Sequence, residues 1–113
     1  MHGTIEVFRC DVTPTKFTII FSYLNLKDGG CLYLCTLEFT DWLGFKFYLP
    51  DKNVYLEGYK INEFYAEHKM DFDIYDIIDN KGSIIIDGYG DDDKFSLTIL
   101  KPKIKITGDY DPD

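Results

Sequence analysis

Helix-forming residues are scarce in this 113-residue chain: it has one alanine, Ala66, and no glutamine. Nine phenylalanines, nine tyrosines and many isoleucines and threonines take their place. That balance argues against a helical protein and predicts a mainly β one. No apolar run reaches the roughly 20 residues of a membrane-spanning helix. The opening residues, from Met1 to Cys10, lack the basic start and apolar stretch of a signal peptide. A cytoplasmic protein without membrane contact is expected.

Other absences narrow the chemistry. No Cys-x-x-Cys or His-x-x-x-His pair is present, and His2 and His68 stand alone, so zinc has no ligand set. The EF-hand spacing of acids and glycine is missing, which argues against a calcium loop. There is no Gly-x-Ser-x-Gly and no phosphate-cradling glycine loop. The expectation is no cofactor, no metal and no enzymatic activity. Cys31 and Cys35 would stand about 13 Å apart along one strand, too far for a disulfide. Together with Cys10 they read as reduced, buried thiols.

What the chain does have is aspartate in two short stretches. Residues 71–93 hold eight aspartates against Lys81, a local charge of −7. Asp109, Asp111 and Asp113 add −3, so the rest of the chain, within a total of −8, is net +2. A field this uneven bears on partners more than on fold. It repels nucleic acid backbones and anionic lipid and favours a cationic partner.

Alternating apolar residues and turn signals predict about eight short, mostly antiparallel strands, arranged as a sandwich or a partly open barrel. The strands are read at Thr4–Cys10, Phe17–Leu26, Cys31–Phe39, Phe45–Leu49, Val54–Ile61, Asp71–Asp79, Ser83–Tyr89, Phe95–Lys101 and Lys103–Thr107. Lys27-Asp28-Gly29-Gly30 and Asp79-Asn80-Lys81-Gly82 supply hairpin turns. Gly58 suggests a bulge within the fifth strand. The one helix is placed near 62–70, capped by Asn62, with Ile61, Phe64, Tyr65 and His68 on one face. Residues 71–79 fit a strand better than a continued helix. Pro102 and its neighbouring lysines suit an edge strand. Residues 1–108 form one domain, and 109–113 are expected to be a frayed acidic tail.

As a strand, 71–79 puts Phe72, Ile74 and Ile78 on one face and Asp71, Asp73, Tyr75 and Asp79 on the other. Asp76 breaks the first pattern and Ile77 the second. Asp87 and Tyr89 lie beside the acidic stripe on the paired strand, and Asp91, Asp92 and Asp93 form the next turn. Carboxylates interleaved with tyrosines suit a basic protein partner, because charge speeds encounter and tyrosine supplies contact area. In size and charge the chain resembles small acidic proteins that neutralise a basic partner, among them toxin-immunity proteins, antitoxins and inhibitors that mimic nucleic acid. That likeness implies an inhibitory binding protein, most concretely an immunity protein against a nuclease toxin, and a monomer is expected. The alternative is a small-ligand site lined by Phe17, Phe21, Tyr23, Tyr33, Phe45, Phe47 and Tyr48.

Overall fold

Most of the strands alternate buried and more exposed side chains, and that period of two builds the sheet. The computed structural model describes residues 5–25 and 29–111. In chain order the elements are β1 (Ile5–Val12), β2 (Lys16–Asn25), β3 (Cys31–Thr40), β4 (Gly44–Leu49), β5 (Val54–Leu56), α1 (Tyr59–His68), β6 (Phe72–Asn80), β7 (Ser83–Gly90), β8 (Asp93–Leu100) and β9 (Lys103–Asp111). A single 3₁₀ turn, Lys69–Asp71, joins α1 to β6. All nine strands form one antiparallel sheet in the order β5-β4-β8-β7-β6-β1-β2-β3-β9. The protein is mainly β with one short helix, as its composition predicts. Thr4, Leu26, Lys27-Asp28 and residues 112–113, on which parts of the expected elements fall, lie outside the described residues.

The sheet folds back on itself, and β1 is its corner. Ile5 and Glu6 pair with Ile74 and Asp73 of β6, whereas Val7 to Val12 pair with β2. A bulge between Val7 and Arg9 follows directly after this change of partner. Bulges bend and twist a strand, which lets it pass from one layer to the other. The opposite end is held by two short links. Residues 41–43 lead from β3 to β4 and residues 101–102 lead from β8 to β9. Neither link joins neighbouring strands, so each carries the chain across the core. Asp41 and Lys101 take left-handed φ values of 53° and 51° there, and the Leu43 amide donates to the Leu100 carbonyl at 2.8 Å.

Between the layers lies one core. Phe17, Ile19 and Phe21 of β2, and Cys35, Leu37 and Phe39 of β3, face Phe95, Leu97 and Ile99 of β8. Phe17 meets Phe45 of β4 edge-on, with ring centroids 5.4 Å apart. At the other end Phe47, Phe95 and Phe72 stack in a row, with centroids 5.0 and 4.9 Å apart. Phe72 and Phe95 reach each other because the intervening strand β7 presents Gly88 and Gly90 opposite them. A Cβ at Gly88 would overlap the Asp73 carbonyl oxygen and come within 2.7 Å of the Phe95 ring.

The helix corrects two expectations. The fifth strand ends at Leu56 rather than Ile61, and Gly58 marks the start of α1 rather than a bulge. With φ of 55°, Gly58 turns the chain out of the sheet in a conformation open to glycine. Asn62 is not the cap, because the helix begins three residues before it. Its amide instead accepts from the Val12 N–H at 2.8 Å and donates to the Val12 carbonyl at 2.9 Å. The expected helix face holds: Ile61 and Phe64 are buried, and Tyr65 and His68 are half-buried.

The tail is a third correction. β9 continues to Asp111, pairing Asp109 with Tyr33 and Asp111 with Cys31. β3 extends that far and offers backbone partners, so the chain from Gly108 to Asp111 is strand and not frayed.

Two outcomes test this packing. Asn62→Ala leaves a buried backbone donor and acceptor of Val12 without partners, and urea denaturation should show a loss of about 2–3 kcal/mol. Gly88→Ala overpacks the ring stack, and thermal melting should show a loss on the order of 1–3 kcal/mol.

Candidate acidic binding face

Residues directly opposite each other on neighbouring strands share a face. Asp73 lies opposite Tyr89 of β7 and Glu6 of β1. Phe72 and Ile74, opposite Gly90 and Gly88, point into the core. The register then slips: Ile74 pairs with Gly88, but Asp76 pairs with Asp87. Tyr75 is the extra residue. A slip of one residue exchanges the faces of everything beyond it. Asp76 and Ile78 therefore turn outward with Asp87 and Ile85, and Ile77 turns to the core side opposite Ile86. The two misfits in the sequence pattern, Asp76 and Ile77, both follow from this bulge.

The outer surface that results carries Glu6, Asp73, Asp76 and Asp87. Tyr75 and Tyr89 lie among them, with ring centroids 6.1 Å apart, and Tyr75 is 45% exposed. The Asp87 carboxylate accepts from Ser96 Oγ at 2.6 Å, which fixes its position. Asp71 is exposed at the end of the 3₁₀ turn, and its carbonyl accepts from the Asp91 amide at 2.9 Å. That bond brings the 91–93 turn alongside.

Not every expected residue belongs to this face. The bulge moves Asp79 to the other side, where its Oδ1 accepts from the Gly82 N–H at 2.9 Å and braces the β6–β7 turn. Asp91 and Asp93 already have cationic or polar partners. His68 Nδ1 lies 2.8 Å from Asp91 and its Nε2 3.5 Å from Asp93, and Lys52 Nζ lies 3.3 Å from Asp93. Asp92 is exposed at the tip of the turn. Two members escaped the sequence reading. Glu6 joins only through the β1–β6 pairing, which has no local signal. Asp76 had a signal, since a polar residue on an apolar face marks a bulge.

The electrostatics of the face are unfavourable to the fold. Among the described residues, Glu6, Asp71, Asp73, Asp76 and Asp87 form no ion pair. Glu6 stands opposite Asp73, and Asp76 opposite Asp87. Like charges in directly opposed positions destabilise a sheet. Partial burial, with Asp71 and Glu6 nearby, pushes the Asp73 carboxyl above the usual carboxylate range.

Other chemistries find less here. Among the described residues, no group of three or more His, Cys, Asp or Glu side chains is placed to hold a metal ion. Cys10, Cys31 and Cys35 are free and buried. Burial pushes the Cys10 thiol well up, and the Cys35 thiol up to about 11, so both are neutral thiols and poor nucleophiles. Of the aromatic residues proposed for a ligand cavity, Phe45 and Phe47 line one shallow cavity among the described residues, and the others lie apart from it. Phe17, Phe21 and Phe47 are fully buried core, Tyr33 is half-exposed, and Tyr48 packs on Tyr55 and donates to Asn53 at 2.7 Å. No described helix is long and apolar enough to cross a membrane. Comparison with family models, curated proteins and solved structures finds no match to this chain.

The pH dependence of Asp73 is testable. Its folded-state carboxyl titrates higher than in the unfolded chain, so the folded state gains stability as pH falls through the raised value and loses it as pH rises. Asp73→Asn should therefore raise the melting temperature at pH 7, and the advantage should vanish once the wild-type carboxyl is protonated in both states, below about pH 3. Melting curves across pH check this. An equal shift at every pH would assign the effect to packing instead.

Proposed function

We propose that this protein binds and neutralises a basic protein through the outer face of β1, β6 and β7, and that its partner is a nuclease toxin. The observation that carries the reading is the two pairs of opposed like charges, Glu6 with Asp73 and Asp76 with Asp87. A surface meant only for solubility has no need to stack acids across the ladder at a cost in stability. A lysine- and arginine-rich partner turns that cost into attraction. Tyr75 and Tyr89 provide amphipathic contact at the centre of the face. Nucleases hold phosphates with Lys and Arg, and a rigid array of carboxylates meets the same groups. On this reading the turn acids Asp91 and Asp93, held by His68 and Lys52, are peripheral.

Affinity capture from the native cell followed by surface plasmon resonance tests this. Asp76→Lys with Asp87→Lys should slow association by about tenfold or more at low salt, and added salt should shrink the difference. Tyr75→Ala and Tyr89→Ala should instead speed dissociation, each by about 2 kcal/mol. If the partner is a nuclease, the wild-type chain should abolish its cleavage of nucleic acid. An association rate insensitive to both salt and charge reversal would place the interface elsewhere.

A further inference from the structure

Among the described residues β9 is an outermost strand, paired with β3 on one side and with no strand on the other. It is long for an edge, nine residues, and Lys103 to Tyr110 are all exposed. An open edge of this length exposes unpaired N–H and C=O groups and can accept another strand. It also carries apolar surface: Ile104, Ile106 and Tyr110 are 42%, 51% and 62% exposed. Proteins usually blunt such an edge with lysine or proline. Here Lys103 and Lys105 do so at one end, but Asp109 and Asp111 stand at the other.

That charge order is self-complementary. When two antiparallel copies of β9 meet with Thr107 opposite Thr107, Lys105 falls opposite Asp109 and Lys103 opposite Asp111. Ile104 falls opposite Tyr110, and Ile106 opposite Gly108. The two-fold axis repeats each contact. Lys103, Lys105, Thr107, Asp109 and Asp111 alternate along the strand and share one face. Ile104, Ile106 and Tyr110 lie on the other. Parallel pairing in register would oppose lysine to lysine and aspartate to aspartate, so the same pattern that accepts a second copy rejects that alternative. Lys103 already contacts Asp41 at 3.4 Å in an exposed pair, and the central Lys105–Asp109 pairs carry most of the selection.

We infer that β9 is a self-association edge, at which two copies of this chain join antiparallel to continue the sheet from one protomer into the other. Backbone hydrogen bonds and the Ile104, Ile106 and Tyr110 contacts supply the adhesion. Exposed ion pairs add little individually, and here they set register and partner. This surface is separate from the acidic face of β1, β6 and β7.

Sedimentation equilibrium of the full chain across a concentration series tests the inference with Lys105→Asp and Asp109→Lys. The wild type should show a monomer–dimer equilibrium that weakens with salt. Each variant alone places like charges opposite each other twice, and its dissociation constant should rise on the order of tenfold or more. A one-to-one mixture of the two variants restores both opposed pairs and should dimerise, as should the double variant K105D/D109K. Both sites are exposed, and unchanged circular dichroism confirms that the variants remain folded. A wild type that stays monomeric to millimolar concentration overturns the inference. So does a dimer indifferent to the single reversals, or a mixture no better associated than its components.

Discussion

The stack of Phe47, Phe95 and Phe72 is the contact on which the arrangement of helix and sheet depends. Three rings from β4, β8 and β6 lie nearly parallel, and Phe64 of α1 meets all three edge-on at 5.7 to 6.3 Å. The geometry suits aromatic quadrupoles, which favour edge-to-face contact over direct sandwiching. It requires β7 to contribute no side chain between Phe72 and Phe95, and Gly88 and Gly90 meet that requirement. Gly90 also admits the helix, since a Cβ there would lie 2.6 Å from His68 Cβ. Two glycines thus let an aromatic cluster form and set how closely α1 approaches the sheet.

The same stretch of β7 supports the acidic face. Tyr89 lies between the two glycines and points outward, opposite Asp73. The inner surface near Gly88 is occupied by ring atoms and by the Asp73 carbonyl, so β6 is held tightly where it passes. The bulge follows immediately at Tyr75. Beyond it Asp76 joins Asp87 on the outside. Core packing and surface charge are two sides of one backbone arrangement. A change that straightened β6 would send Asp76 inward and Ile77 outward together.

Much of this was legible in the residues. Alternation located the hairpins around Lys81-Gly82 and around Asp91-Asp92, because period two and left-handed turn residues are local properties. Lys81 and Gly82 do take φ of 55° and 90°. That Cys31 and Cys35 form no disulfide with each other followed from strand geometry. What was not legible depends on contacts distant in sequence. Gly58 permits a bulge or a helix start equally, and α1 begins there because Phe64 has the ring stack to pack on. Asn62 looked like a cap, but Val12 claims its side chain from 50 residues away. Glu6 belongs to the acidic face only because β1 turns a corner to meet β6. Gly108 and the acids after it resembled a tail, since a lone strand end gains its partners only from β3.

The two links across the core, residues 41–43 and 101–102, also govern the order of assembly. β1-β2-β3 and β6-β7-β8 are meanders of local contacts, and such units form quickly. β4–β8 and β3–β9 join segments separated by some 50 to 80 positions, and closing those loops comes later. β9 follows the other described strands. On the ribosome, β3 therefore waits with a bare edge until β9 emerges, some 60 or more residues after it. The nascent protein is most exposed to mispairing along β3 in that interval, and the β3–β9 ladder moves the exposed edge from β3 to the charged β9.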